Sequence, residues 1–181
     1  MNTLTLKGKV WKYGDHVSVY YFFPAIYEML GIAGQPEELA RHFLEEVDPE
    51  LVRKVEAGDI IVAGKGFGQG KHHYDYINAF QKLGFAGFLA ESFHPQFQRE
   101  CIDRGVPAIA YPDLPSKVTS GDLLELDLRT GKGNLLNRSV ALGVGPTPQV
   151  FLSILAAGGL KPYTLQKLAS RRRLVPAFLG T

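Results

Sequence analysis

The sequence predicts an α/β domain on a mixed sheet with crossover helices, and three observations carry that prediction. Between residues 59 and 111, apolar runs of strand length alternate with segments of helical periodicity, the order of a parallel strand–helix–strand–helix–strand unit. From residue 117 onward the pattern changes to short apolar segments separated by Gly-rich turns, which suits antiparallel pairing. No internal repeat or low-complexity linker divides the 181 residues, and a hydrophobic content of 45% can furnish one core, so a single domain spanning 1–181 is expected, with its core at about 8–168 and a basic tail at 169–181.

Residues 4–13 place Leu4, Leu6, Lys7, Lys9, Val10 and Lys12 in an alternating pattern, a first strand that stops at Gly14-Asp15. Residues 17–23 are rich in β-branched and aromatic side chains and end at Pro24, which predicts a second strand or extended segment. In residues 36–46, Glu37 and Glu38 sit in a first turn and Leu39, Phe43 and Leu44 follow at helical spacing. Asp48-Pro49-Glu50 opens a further short helical turn, with proline at a first helical position. Residues 59–63 are a buried strand. Tyr76, Ile77, Phe80 and Leu83 then recur on one helical face that Gly84 terminates. Residues 86–90 and 106–111 are the next two strands, separated by a helix at 95–104 that Gly105 closes. Gly121-Asp122 leads into Leu123, Leu124, Leu126 and Leu128, and Gly131-Lys132-Gly133 turns the chain back toward Leu135. Residues 148–157 and 163–168 read as terminal helices.

A net charge of +2 with 21% charged residues gives no global field toward nucleic acid or membrane, and Arg171-Arg172-Arg173 reads as a local, solvated run. Cys101 is the only cysteine, which excludes an internal disulfide and a thiolate-held iron–sulfur cluster within this chain; it falls among Phe97 and Ile102 as a small core residue. No apolar run approaches the roughly 20 residues of a spanning helix, and the first residues lack a signal-peptide pattern, so a cytoplasmic location is expected.

The chemistry is expected where the strand at 59–63 breaks into Gly64, Gly66, Gly68 and Gly70 and then into Lys71-His72-His73. Such a loop can turn backbone N–H groups toward a small anion, and a following helix N-terminus adds its positive dipole end. Spacing excludes two nucleotide motifs. A dinucleotide loop would need glycine at 69 or 71, where Gln69 and Lys71 stand, and a phosphate-binding Walker loop would need glycine at 65 and a hydroxyl at 72, where Lys65 and His72 stand. Adjacent histidines on a helix diverge, and no cysteine or carboxylate pair completes a metal set, so zinc is not expected. His94, before Pro95, reads as a cap or surface residue, and His16 as a turn residue beside Asp15.

In order, Gly14-Asp15-His16-Val17, Gly58-Asp59-Ile60-Ile61-Val62-Ala63-Gly64 with Phe67-Gly68-Gln69-Gly70, Leu83-Gly84-Phe85, Ala90-Glu91-Ser92-Phe93 with Phe97, Gly105-Val106-Pro107, and Gly121-Asp122 with Glu125-Leu126-Asp127-Leu128 form a set. That set resembles the small subunit of 3-isopropylmalate dehydratase and homoaconitase, the swivel domain of the aconitase superfamily, over roughly residues 8–168. The resemblance implies a β/β/α swivel fold and a heteromeric hydro-lyase of leucine biosynthesis. A large subunit there carries a [4Fe–4S] cluster, this chain binds no cofactor of its own, and the two close over a small hydroxy-di- or tricarboxylate that is reversibly dehydrated.

The family loop reads Gly-x-Asn-Phe-Gly-x-Gly-Ser-Ser-Arg-Glu, with a serine as base and the arginine on a substrate carboxylate. Here Gly66 replaces the asparagine, Lys71 and His72 the serines, His73 the arginine and Tyr74 the glutamate. The family's Asp-x-x-x-Thr-Asp segment becomes Asp15-His16-Val17-Ser18-Val19-Tyr20. Carried over position by position, the catalytic candidates are Lys71, His72 and His73, and the substrate-binding candidates Gly66, Phe67, Gly68, Gln69, Gly70, Asp15 and His16. Histidine is not a permanent two-pronged clamp as arginine is, and lysine serves as a base only where burial or neighbouring cations make it release its proton. Residues 25–34, apolar through Ile26, Tyr27, Met29, Leu30 and Ile32, stand where the family has its specificity loop and suit either an apolar substrate group or a partner surface. Two readings follow: a hydro-lyase small subunit, or a pseudo-enzyme or anion-binding module that kept the fold.

Overall fold

The computed structural model describes residues 4–47, 50–71 and 73–174; residues 1–3, Asp48-Pro49, His72 and residues 175–181 lie outside them, as do the side chains of His73 and of residues 171–174. β1 (Thr5–Lys12) is followed by two short 3-10 helices, Val19–Tyr21 and Ala25–Tyr27, then α1 (Glu28–Ile32), α2 (Pro36–Arg41) and a third 3-10 turn, Leu51–Lys54. Next come β2 (Ile60–Ala63), α3 (His73–Leu83), β3 (Gly87–Ala90), α4 (Pro95–Asp103), β4 (Ala108–Ala110) and the single turn α5 (Leu114–Lys117). β5 (Leu123–Asp127), β6 (Lys132–Leu135), β7 (Val140–Gly143), α6 (Gln149–Ala157) and α7 (Leu160–Leu174) complete the order.

The strands form one seven-stranded sheet in the order β4-β3-β2-β1-β5-β6-β7. β1 is its junction: it runs parallel to β2, with Val10 opposite Ile60, and antiparallel to β5, with Leu6 opposite Leu126. The expected mixed sheet with crossover helices is present, its parallel part built from β1 to β4 and its antiparallel part from β5 to β7. All four residues of β2 are buried because both of its faces are covered. Alternation sends Ile61 and Ala63 into an aromatic cluster with Phe22, Phe43, Phe80 and Phe88, and Ile60 and Val62 into an aliphatic one with Leu6, Leu89, Leu124 and Leu126. Cys101 lies in the aromatic core, and burial pushes its thiol well above the ordinary range.

Three elements differ from expectation. The strand expected over 17–23 is instead the 3-10 turn Val19–Tyr21, whose strand-like pairing with the glycine loop is an isolated bridge from Ser18 to Gln69. A strand would send Phe22 and Phe23 to opposite faces; the turn buries both fully, and the Ser18 hydroxyl accepts the Tyr20 N–H at 3.2 Å to start it. The helix expected over 36–46 ends at Arg41, because Leu44 takes a left-handed conformation (φ 54°) and gives its N–H to the Phe22 carbonyl at 2.6 Å. At the C-terminal side, Gly158 and Gly159, both at positive φ, separate α6 from α7, which is longer than the expected 163–168.

Candidate active site

The glycine loop leaves the carboxyl end of β2 in the parallel half of the sheet, where α/β folds collect their ligands. Backbone bonds thread it between the segment after β1 and the segment after β3. The Gly64 N–H reaches the Gly14 carbonyl at 3.0 Å, and the Lys65 N–H reaches Asp15 Oδ1 at 2.8 Å. The Gly66 N–H reaches Ser92 Oγ at 3.0 Å, the Phe67 N–H the Ser92 carbonyl at 3.1 Å, and the Gly68 N–H the Val17 carbonyl at 2.9 Å. These consecutive amides therefore hold the loop in place and are not turned toward a ligand. Gln69, Gly70 and Lys71 are different: none of their N–H groups has an acceptor among the described residues, and they lead into α3. The donors available to an anion sit at the loop's end, where the dipole of an eleven-residue helix adds to them.

Two glycines are required by contact. A β-carbon at Gly64 would collide with the Asp15 carboxylate, and one at Gly68, whose φ is 91°, would enter the Phe97 ring. The loop can lie this close to its neighbours only without side chains at those points.

The sequence-derived residues divide by place. Asp15, His16, Gln69 and Lys71 are exposed at the strand ends and share one surface with Lys65, which pairs with Glu91 at 3.5 Å. The His16 backbone is left-handed (φ 56°), and its imidazole lies over Gly66, so that a β-carbon there would come within 2.8 Å of Nδ1. Phe67 and Gly68 are buried: Phe67 packs edge-on against Phe22, Phe93 and Phe97 and supports the loop from beneath. Tyr74, aligned with the family glutamate, turns away from the loop; its hydroxyl donates to Asp103 at 3.3 Å and the Arg104 guanidinium lies 4.7 Å from its ring centre.

Sequence reasoning passed over two supporting hydroxyls. Ser92 fixes Gly66, and Ser18 donates to the Gln69 carbonyl at 2.9 Å. Their signal was position alone, a serine directly after an apolar strand and another in the segment facing the loop.

This surface is open. A cleft of about 600 Å³ lies on the other side of α3, lined by Tyr74, Arg104 and the first turns of α7, and one of about 360 Å³ lies between α4 and α6; neither takes in the glycine loop. Among the described residues no three His, Cys, Asp or Glu side chains converge as metal ligands. With its one cysteine fully buried, the chain does not fit an iron–sulfur cluster.

No family model matches the chain. Individual proteins do. It is 40% identical over 157 residues to the 3-isopropylmalate dehydratase small subunit of Halothermothrix orenii, covering 87% of this chain and 93% of that one. It is 38% identical over 164 residues to the isopropylmalate/citramalate isomerase small subunit of Methanocaldococcus jannaschii, covering 91% and 96%. The chain belongs to the 3-isopropylmalate dehydratase small-subunit family. The crystal structure of 3-isopropylmalate dehydratase from Methanocaldococcus jannaschii superimposes with a TM-score of 0.77 at 30% identity, over 97% of this chain and 99% of that one. As a member of the 3-isopropylmalate dehydratase small subunits, this chain sets Lys71, His72 and His73 where the loop pattern it resembles has two serines and an arginine.

Proposed function

We propose that the chain works as the small, swivel subunit of a cytoplasmic hydro-lyase of the 3-isopropylmalate dehydratase type, closing with an aconitase-type large subunit over a small hydroxy-dicarboxylate or hydroxy-tricarboxylate. The observation that carries this reading is an open face at the strand ends, bearing the exposed Lys71 and His16, in a chain whose family is shared over about nine-tenths of its length. An open face is half of a cavity, and a second protein supplies the other half. The [4Fe–4S] cluster belongs to that second protein and supplies Lewis-acid activation of the departing hydroxyl.

On this chain the Gly70 and Lys71 amides, the α3 N-terminus and the cations at 71–73 receive a substrate carboxylate, while His16 and Gln69 face it from the loop. One of Lys71, His72 and His73 removes the proton from the carbon next to that carboxylate. The C–H electron pair becomes the new double bond as the C–O bond breaks, and the departing hydroxide takes a proton from solvent to leave as water; in the reverse step water adds at the neighbouring carbon and gives a proton back to solvent while the base returns its proton to the other carbon. Lys71 is exposed, so dehydration of its ammonium has to come from closure of the partner. His16 and Asp15 shape the loop from the β1 side. Calorimetry of the chain with small di- and tricarboxylates tests the placement: His73→Ala is expected to weaken binding at least about tenfold, the loss of one charge-assisted contact. Binding unchanged in His73→Ala would put the carboxylate site elsewhere.

A further inference from the structure

We propose that Tyr27, His42 and Glu45 form a clamp that positions the apolar segment 25–34 beside the cationic loop and so sets which substrate side chain the site accepts. The inference rests on the functional reading above and adds to it three positioning residues outside the loop.

The segment needs such a device. Between Pro24 and Leu39 only Gly31 is buried, while Ile26 is 77%, Met29 67% and Ile32 50% exposed. Its backbone bonds are local, from Tyr27 to Pro24, from Ala33 to Met29 and from Gln35 to Leu30, and none ties it to the sheet. Apolar side chains held out at this exposure have a role in contact with something else, and their position must come from side-chain ties.

Gly31 supplies one tie: it lies so close to the first turn of α3 that a β-carbon there would stand 2.6 Å from the Asp75 β-carbon. That contact places the segment against the first turn of α3, the helix that follows the loop. Tyr27 and Leu30 also pack against the aromatic core, and the clamp fixes how the Tyr27 ring lies there. The Tyr27 ring stacks on the His42 imidazole with centres 3.5 Å apart and planes 13° from parallel. His42 Nδ1 lies 2.7 Å from Glu45 Oε2, and the Tyr27 hydroxyl bonds the same carboxylate. Glu45 in turn follows the left-handed Leu44, which is pinned to Phe22 in the core. Tyr27 sits between Ile26 and Met29 in the chain, so releasing it frees the apolar wall while leaving the loop's own bonds intact.

The test uses the chain reconstituted with its large subunit, comparing kcat/KM for 2-isopropylmalate with that for citramalate, which carries a methyl group in place of the larger one. His42→Ala is expected to raise KM for 2-isopropylmalate about tenfold, the scale on which a hydrophobic contact discriminates one or two carbons, with kcat and the citramalate constants nearly unchanged. His42→Phe keeps a flat ring against Tyr27 and is expected to restore part of the preference. Hydrogen exchange on the isolated chain is expected to quicken in residues 25–34 of His42→Ala and to stay unchanged in β2 and α3. An active complex whose substrate ratio does not move, or variants that lose both substrates equally, would overturn the clamp alone. A wild-type complex inactive on both substrates would overturn the functional reading and the selectivity claim with it.

Discussion

At the residue scale, the loop's glycines and its cations have separate tasks. The amides from Gly64 to Gly68 are used by Gly14, Asp15, Ser92 and Val17, and among the described residues the Gln69, Gly70 and Lys71 amides have no acceptor and remain for a ligand. Gly68→Ala is expected to destabilise the chain by about 2 kcal/mol or more, since a left-handed backbone and the Phe97 ring both oppose a side chain there; thermal unfolding measures it, and an unchanged melting temperature would contradict the packing described. Lys71→Ala in the reconstituted enzyme is expected to lower turnover by a factor of about 10² to 10⁴ if Lys71 moves the proton, and mainly to raise KM if it only holds the carboxylate. The sequence marked this place because glycines followed by three basic residues is a local pattern. It did not mark which amides are free, because Ser92, Phe97 and Val17 reach the loop from positions distant in the chain.

At the element scale, the strands and crossover helices between 59 and 111 were legible because each carries its own period and its own glycine stop. The segment 17–23 was not: its aromatic, β-branched composition suits a strand, and only the need to bury both Phe22 and Phe23 makes it a turn. Likewise Leu44 ends the helix after Arg41 through a tertiary bond to Phe22 that no local pattern announces. The β5–β6–β7 meander depends on Asp122, 2% exposed, which accepts the Thr119 N–H and an Arg138 guanidinium N–H, each at 2.8 Å, and an Asn137 amide N–H at 3.3 Å. Burial pushes its carboxyl up, but the bonds from Thr119 and Asn137 and the charge of Arg138 outweigh it and hold the group below the ordinary carboxylate range. A lowered folded value means stabilisation that is complete above about pH 4, the unfolded value, and lost as pH falls through the folded one. The melting-temperature gap between wild type and Asp122→Asn is therefore expected to be widest near neutral pH and to narrow below about pH 4; a gap that widens on acidification would contradict the assignment.

At the scale of the whole molecule, the swivel architecture sets the exposed Asp15, His16, Gln69 and Lys71 together at the carboxyl ends of the parallel strands. In the proposed function this face is one wall of an active site shared with a large subunit, and Lys71-His72-His73, where the family pattern has Ser-Ser-Arg, carry that wall's chemistry. The measurement that bears on this most directly is co-purification with an aconitase-type large subunit followed by assay of 2-isopropylmalate dehydration, with the wild-type chain and with Lys71, His72 and His73 all changed to alanine. The expected result is a stable complex that dehydrates 2-isopropylmalate and a triple variant that still assembles but has lost that activity. A chain that binds no cluster-bearing partner, or a triple variant as active as the wild type, would contradict it.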